Sequence, residues 1–314
     1  MTRTSSLPHA VATFVSRRAP VLAVAFADDG RALASAGSDC AIELWRTKET
    51  NDQAFGENFM ELRGATNAVT SVAFARDVVA SASADGVARC YDATTGERVR
   101  TYVGKKACVM NDVAGVGDII AGASDDGVVR TWDVRIAKTR TRAIEHGAPA
   151  TCVTLSRDSS RMYVGGVNDV IKAWDLRIDR EPVCVLRGHG DAITGLAISP
   201  CGSFALSNAM DGELKMWDVR PYVEGAREVK TFVGHTHNFE KGLLRCAFSA
   251  DGTRVAAGSA DANVYVWDVD TGKLAYKLPG HKGAVNAVAF HPVENPIIAS
   301  GGSDGVVYIG ELDR

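Results

Sequence analysis

The strongest constraint on how this chain can fold is a unit that recurs along its whole length. Its clearest copy runs from Gly188 to Arg220, GHGDAITGLAISPCGSFALSNAMDGELKMWDVR. Three short apolar runs, Ala192 to Ile198, Phe204 to Ser207 and Glu213 to Trp217, read as strands. Between them Pro200-Cys201-Gly202 and Asp211-Gly212 supply turn chemistry, because proline fixes φ and glycine accepts the positive φ of a tight hairpin. The unit opens on Gly188-His189 and closes on Trp217-Asp218. Aligned on that last pair, the other copies end at Trp45-Arg46, Tyr91-Asp92, Trp132-Asp133, Trp174-Asp175, Trp267-Asp268 and a degenerate Gly310-Glu311. The anchors stand roughly 41 to 50 residues apart and leave no room for a second domain. Length alone would suggest about two domains, but stacked repeats bury their faces only against one another.

The GH…WD signature on a four-strand unit resembles the WD40 repeat. The resemblance implies an all-β fold, a seven-bladed WD40 β-propeller occupying residues 1–314 as one domain, with blades ending near 45, 91, 132, 174, 217, 267 and 310. If each unit's last strand follows its Trp-Asp position, Gly310-Glu311 leaves the seventh blade one strand short. His9 to Val15 (HAVATFV) is spare at the other end. Region 1–16 is therefore expected to supply the missing outer strand and close the ring, which removes exposed sheet edges.

Lys+Arg (35) and Asp+Glu (38) nearly balance, for a net charge of −3, so no electrostatic footprint for independent nucleic-acid binding is present. No stretch is apolar enough to span a membrane, and MTRTSSLPHAVATFVSRR lacks the continuous apolar run of an export signal. Cys40, Cys90, Cys108, Cys152, Cys184, Cys201 and Cys246 are dispersed without a C-x-x-C pair, which reads as buried reduced thiols. An intracellular, soluble chain is the expectation.

His189, Ser207, Asp211 and Trp217 contain a Ser-His-Asp set. A hydrolase triad needs an exposed nucleophile and an oxyanion hole. In WD40 blades the same set is a structural network fastening outer strands to inner ones, and that role is expected here. The sixth unit keeps His235, Asp261 and Trp267 but has Ala257 at the serine position. The first three units carry Arg17, Ala65 and Lys105 at the histidine position, and the fourth has Asn168 at the aspartate position. Gly301-Gly302-Ser303-Asp304-Gly305 matches G-x-S-x-G, yet a strand-like Val306 to Ile309 follows where the nucleophile elbow needs a helix. No phosphate-loop or H-E-x-x-H motif occurs. His235, His237 and Cys246 lack a fourth partner at a usual metal-ligand spacing. These observations support no catalytic residue, cofactor or metal.

Three departures from regular spacing mark surfaces free of the repeat: Arg46 to Asn58, Pro221 to Ala226, and Gly234 to Gly242 (GHTHNFEKG). The last lies with the histidine-bearing lead-in loops on one face; the first two follow the third strand on the opposite face. Three units end in Trp-Asp-x-Arg, placing Arg135, Arg177 and Arg220 on that opposite face. This tetrapeptide resembles the box by which some WD40 proteins dock on cullin-4 ubiquitin ligases as substrate receptors, which gives an alternative function.

Leu206-Ser207-Asn208-Ala209-Met210-Asp211, His237-Asn238-Phe239-Glu240-Lys241, Leu243-Leu244-Arg245-Cys246, Ala256-Ala257-Gly258-Ser259-Ala260-Asp261, Tyr276-Lys277-Leu278-Pro279-Gly280-His281 and Val307-Tyr308-Ile309-Gly310-Glu311 resemble the family of WD40 subunits of the spliceosomal U5 small nuclear ribonucleoprotein. That resemblance implies a non-enzymatic scaffold of the U5 particle and the U4/U6·U5 tri-snRNP, nuclear, monomeric within a large complex, and acting in pre-mRNA splicing. The implied partner is the large central U5 scaffold protein, with RNA association mainly indirect. Asn238, Phe239, Glu240 and Lys241 lie outside the repeat consensus and are the expected partner contact, with Phe239 as apolar anchor; the alternative is that Phe239 packs locally to hold its own loop.

Overall fold

A computed structural model describes residues 3–4, 12–15, 19–47, 56–105, 108–136, 142–178, 181–223, 225–238, 242–293 and 297–312. The strands form seven sheets, each built from strands consecutive in the chain except where the N-terminal segment joins. The fifth blade shows the pattern: Ile193–Ile198, Phe204–Ala209, Leu214–Asp218 and Glu228–Phe232 pair antiparallel in that order. Leu214–Asp218 is buried at every residue, since neighbouring blades cover both faces of a middle strand. The first strands of all seven blades surround a central channel of about 300 Å³.

The core lies between blades rather than within them. Cys152, Tyr163 and Ile171 of the fourth blade pack with Ile193, Ala205 and Trp217 of the fifth. Val21, Leu33 and Trp45 of the first blade pack with Ala287, Ala299 and Val307 of the seventh, so the ring is closed. Ala12–Val15 completes the seventh blade, antiparallel to Val306–Glu311 with Ala12 opposite Ile309 and Val15 opposite Val306. The expected closing strand is thus present at 12–15; residues 9–11 and 16 lie outside the described residues. Arg3–Thr4 adds an unanticipated fifth strand to the sixth blade, parallel to Tyr276 and Lys277.

In six blades the first strand carries a bulge at its second residue. A bulge leaves one residue out of the ladder and re-aims its side chain. Five of these residues, Thr70, Asn111, Thr151, Thr194 and Asn286, donate to a carbonyl of the next blade (Met110, Ala150, Ile193, Leu244 and Val21) at 2.5–3.0 Å. Four of these acceptors immediately precede the next blade's bulge residue, and the fifth, Leu244, precedes Arg245. The result is a polar girdle around the channel, interrupted at Leu22 and at Arg245.

Arg245 of the sixth blade instead crosses to the third. Its Nη1 lies 2.9 Å from Asp112 Oδ2, and its Nη2 donates to Asn111 O at 2.9 Å. Asp112 also accepts from Ser71 Oγ and from the amides of Val113 and Val153. One nearly buried ion pair therefore links the second, third, fourth and sixth blades.

Candidate interaction surfaces

The lead-in loop of the fifth blade is fixed by a continuous hydrogen-bond chain. Trp217 Nε1–H donates to Ser207 Oγ at 2.7 Å, Ser207 Oγ lies 2.7 Å from His189 Nε2, and His189 Nδ1 lies 2.8 Å from Asp211 Oδ2. Gly188 precedes the histidine with φ of 148°, and a Cβ there would sit 3.2 Å from the Trp217 ring. Burial pushes the Asp211 carboxyl up, but bonds from His189 and the amides of Gly190 and Glu213 outweigh it and hold the pKa down at about 2. Ser207 is fully buried and its oxygen is engaged on both sides, so it presents no nucleophile to solvent.

The seventh blade repeats three of the four elements, which sequence reasoning did not single out. His281 Nδ1 lies 3.0 Å from Asp304, and its Nε2 lies 2.9 Å from Ser300 Oγ. The matching spacing of Ser300 and Asp304 to that of Ser207 and Asp211 was the available signal. Tyr308 packs edge-on against His281 where no tryptophan is present.

In the sixth blade the structure separates the three expected partners. His235 Nε2 donates to Asn208 Oδ1 of the fifth blade at 2.7 Å. Asp261 accepts from Tyr265 Oη at 2.7 Å and pairs with Lys277 at 3.0 Å. Trp267 Nε1 donates to Val233 O at 3.1 Å. The physical reason is Ala257: without a hydroxyl there, neither imidazole nor indole has the shared oxygen that aligns the fifth blade's chain. The fourth blade shows the same defect with Val164, leaving the Trp174 indole N–H and His146 Nδ1 buried without partners among the described residues.

In two of the three blades that lack the histidine, an arginine on the third strand takes the hairpin aspartate. Arg89 Nη2 lies 2.7 Å from Asp85 and Arg130 Nη2 lies 2.6 Å from Asp126, in the second and third blades. These pairs anchor the same hairpin from the opposite side.

Asn208, fully buried, also holds the base of the Gly234 to Gly242 insertion. Its Nδ2 donates to Leu244 O at 3.0 Å and lies 3.4 Å from His237 Nε2. Desolvation, with His237 nearby, pulls the His235 pKa down to about 4, and burial lowers that of His237. Phe239, Glu240 and Lys241 lie outside the described residues; Asn238 is described at the insertion's edge. Among the described residues, no cluster of three His, Cys, Asp or Glu is arranged to hold a metal. Ser303 sits in an exposed turn followed by the strand Val306–Glu311, so the G-x-S-x-G match has no elbow geometry.

Arg135, Arg177 and Arg220 each curl back onto the aspartate of their own Trp-Asp, namely Asp133, Asp175 and Asp218, through Nε and Nη2. Their side chains remain 61–75% exposed. Such solvated pairs contribute little to stability, and they leave part of each guanidinium open on the face opposite the histidines.

A sequence profile described as "WD domain, G-beta repeat" matches residues 9–46, 56–92, 180–218, 226–268 and 272–309. It omits residues 93–179, which nevertheless hold most of two regular four-stranded blades. The chain is 38% identical to "U5 small nuclear ribonucleoprotein 40 kDa protein" of Dictyostelium discoideum, over 99% of this chain and 86% of the relative. It is 39% identical to "Pre-mRNA-splicing factor cwf17" of Schizosaccharomyces pombe, over 99% and 90%. A weaker similarity, 28% over 57% of this chain and 38% of the relative, is to "DDB1- and CUL4-associated factor 11 homolog" of Caenorhabditis elegans.

Proposed function

This chain belongs to the WD40 repeat family, and from that premise we propose that it is a non-catalytic interaction subunit of the U5 particle and of the U4/U6·U5 tri-snRNP. It acts in the nucleus, in pre-mRNA splicing, by binding the large central U5 scaffold protein. The observation that carries the proposal is the extent of the similarity to the two splicing proteins. It spans 99% of the chain and therefore includes the stretch that the repeat profile leaves unmatched. Repeat character alone would not produce that.

The architecture is consistent with such a role. A closed ring with a polar girdle and a cross-channel ion pair presents its loops on a rigid frame, which lowers the entropic cost of association. The insertion bearing Asn238, Phe239, Glu240 and Lys241 is the contact we assign to a partner protein, with Phe239 as its anchor. The competing reading, a cullin-4 substrate receptor, draws on the exposed Arg135, Arg177 and Arg220 and on the weaker similarity.

Affinity purification of the tagged chain from nuclear extract, with protein and RNA identification, separates the two. Recovery of U5 RNA with the scaffold protein, and its loss in Phe239→Ala, supports the proposal. Recovery of a cullin-4 adaptor without small nuclear RNA overturns it.

A further inference from the structure

On the face opposite the histidine loops, a groove of about 320 Å³ opens between the fourth and fifth blades, and none of the networks above uses it. Its floor is apolar, formed by the buried Tyr163, Leu186 and Val219. Its charged groups are three arginines, and among the described residues no carboxylate lines it. Arg220 is neutralised by Asp218. Arg161 and Arg227 are held differently. Arg161 Nη1 donates to Val219 O at 3.0 Å, and Arg227 Nη1 donates to the carbonyls of Asp218 and Arg220 at 3.0 and 2.9 Å. Among the described residues neither forms an ion pair with a carboxylate. Carbonyl oxygens fix a guanidinium in place without cancelling its charge, and each fork keeps further N–H donors for a ligand.

The lips of the groove are apolar and open. Tyr222, carried by the Pro221 to Ala226 insertion, is 99% exposed, and Val183 is 51% exposed. An exposed aromatic beside an apolar floor and two pre-positioned guanidiniums combines the residue types that dominate binding hot spots. The volume is at the lower end of ligand-binding clefts, enough for a few side chains rather than a folded element.

We propose that this groove docks an extended acidic segment of a partner protein. An aspartate or glutamate of that segment pairs with Arg161 and Arg227, and a neighbouring aliphatic side chain lies on the floor beneath Tyr222. Charge complementarity selects the carboxylate, and fork-to-carboxylate geometry gives it direction. A nucleic acid fits less well. Its backbone needs a run of cations, whereas the chain carries a net charge of −3 and the groove offers, over an apolar floor, only two guanidiniums that form no ion pair among the described residues. The proposal rests on the reading of this chain as an interaction subunit and names the chemistry of one partner segment. It also gives the Pro221 to Ala226 insertion a role, as the wall that carries Tyr222.

The test uses the full chain with the photo-cross-linker p-benzoylphenylalanine in place of Val183, assembled in nuclear extract and irradiated. Mass spectrometry identifies the cross-linked peptide, and U5 RNA recovery is measured on the same sample. The expected product is a peptide with an aspartate or glutamate beside an aliphatic residue. Its yield falls about tenfold with Arg161→Gln plus Arg227→Gln, and likewise with Tyr222→Ala. Tyr222 is fully exposed, so that variant does not perturb folding. Arg31→Gln, on the same face but in the first blade, leaves the yield unchanged. Cross-linking to RNA, to a segment without carboxylates, or with undiminished yield in the variants overturns the proposal. So does the absence of a cross-link in particles that contain both the chain and U5 RNA. The expected cross-link in complexes lacking U5 RNA would uphold the groove and defeat the splicing assignment.

Discussion

Ser207 is the hub of the fifth blade, and replacing it with alanine isolates what the hydroxyl contributes. The change orphans two buried groups, the Trp217 indole N–H and the His189 Nε2, each 2.7 Å from Ser207 Oγ. At about 1–3 kcal/mol for each unsatisfied buried group, the loss is roughly 2–6 kcal/mol. The lower half of that range is expected, because the protein already tolerates such gaps. Trp267 finds a backbone carbonyl at 3.1 Å above Ala257, and Trp174 has no partner among the described residues above Val164. A loss of about 2–3 kcal/mol lowers the melting temperature of a chain this size by roughly 3–5 °C. Ser300→Ala is the internal comparison. Among the described residues its hydroxyl meets only His281 Nε2, at 2.9 Å, so it should cost about half as much. Differential scanning calorimetry at one fixed scan rate reads both. A shift under about 1 °C for Ser207→Ala, or a larger one for Ser300→Ala, would refute the reasoning that the shared oxygen is what matters.

Two other outcomes follow from the same structure. His146 and His235 have folded pKa values pulled down to about 4, by desolvation first in both, so below about pH 6.5 the unfolded chain gains protons the folded chain refuses. Stability is therefore complete above that pH and falls between it and about pH 4, at roughly 1.4 kcal/mol per pH unit for each group; a melting temperature flat from pH 7 to 5, or a slope unaltered in His235→Gln, would contradict this. Deleting residues 1–10 removes, among the described residues, the Arg3–Thr4 pairing and should shift melting little, whereas deleting 1–16 also strips the four ladder pairs from Val306–Glu311. At about 1 kcal/mol for each hydrogen bond the longer deletion costs several kcal/mol and exposes an edge that promotes association, read by calorimetry and light scattering; equal behaviour of the two truncations would show that Ala12–Val15 does not close the ring.

Much of the fold was legible because it is written locally. Turn glycines, alternating apolar runs and the Trp-Asp anchors each fix one hairpin, and the spare apolar run before Val15 predicted closure by counting strands. What escaped depends on neighbours. The partner of His235 is set by Asn208 in another blade, once Ala257 removes the local one. The girdle was visible as a Thr or Asn at the second position of the first strand, in VTSV, MNDV, ATCV, ITGL and VNAV, yet its meaning requires knowing that a bulge turns that side chain to the next blade. The pairing of Arg245 with Asp112 joins residues from opposite sides of the channel, and no spacing rule announces it. The tilt of the arginines toward their own aspartates was likewise a matter of rotamers.

The way the blades compensate also bears on where partners can bind. Five of the hairpins on the histidine face are tied down by whatever local chemistry their blade retains. Histidine serves in the fifth and seventh blades, arginine in the second and third, and tyrosine with lysine in the sixth. Aspartates engaged in this way are held as structural acceptors, and their depressed pKa values in the second, third, fifth, sixth and seventh blades reflect the bonds they accept, against the opposing push of burial. A partner that competed for them would have to replace those bonds while desolvating itself, which yields little net affinity. We propose that specific recognition on this scaffold is supplied by segments the ring does not need: the Gly234 to Gly242 insertion and the Pro221 to Ala226 insertion. Sequence spacing singled out both before any geometry was known, because a residue that packing does not require can be kept for contact.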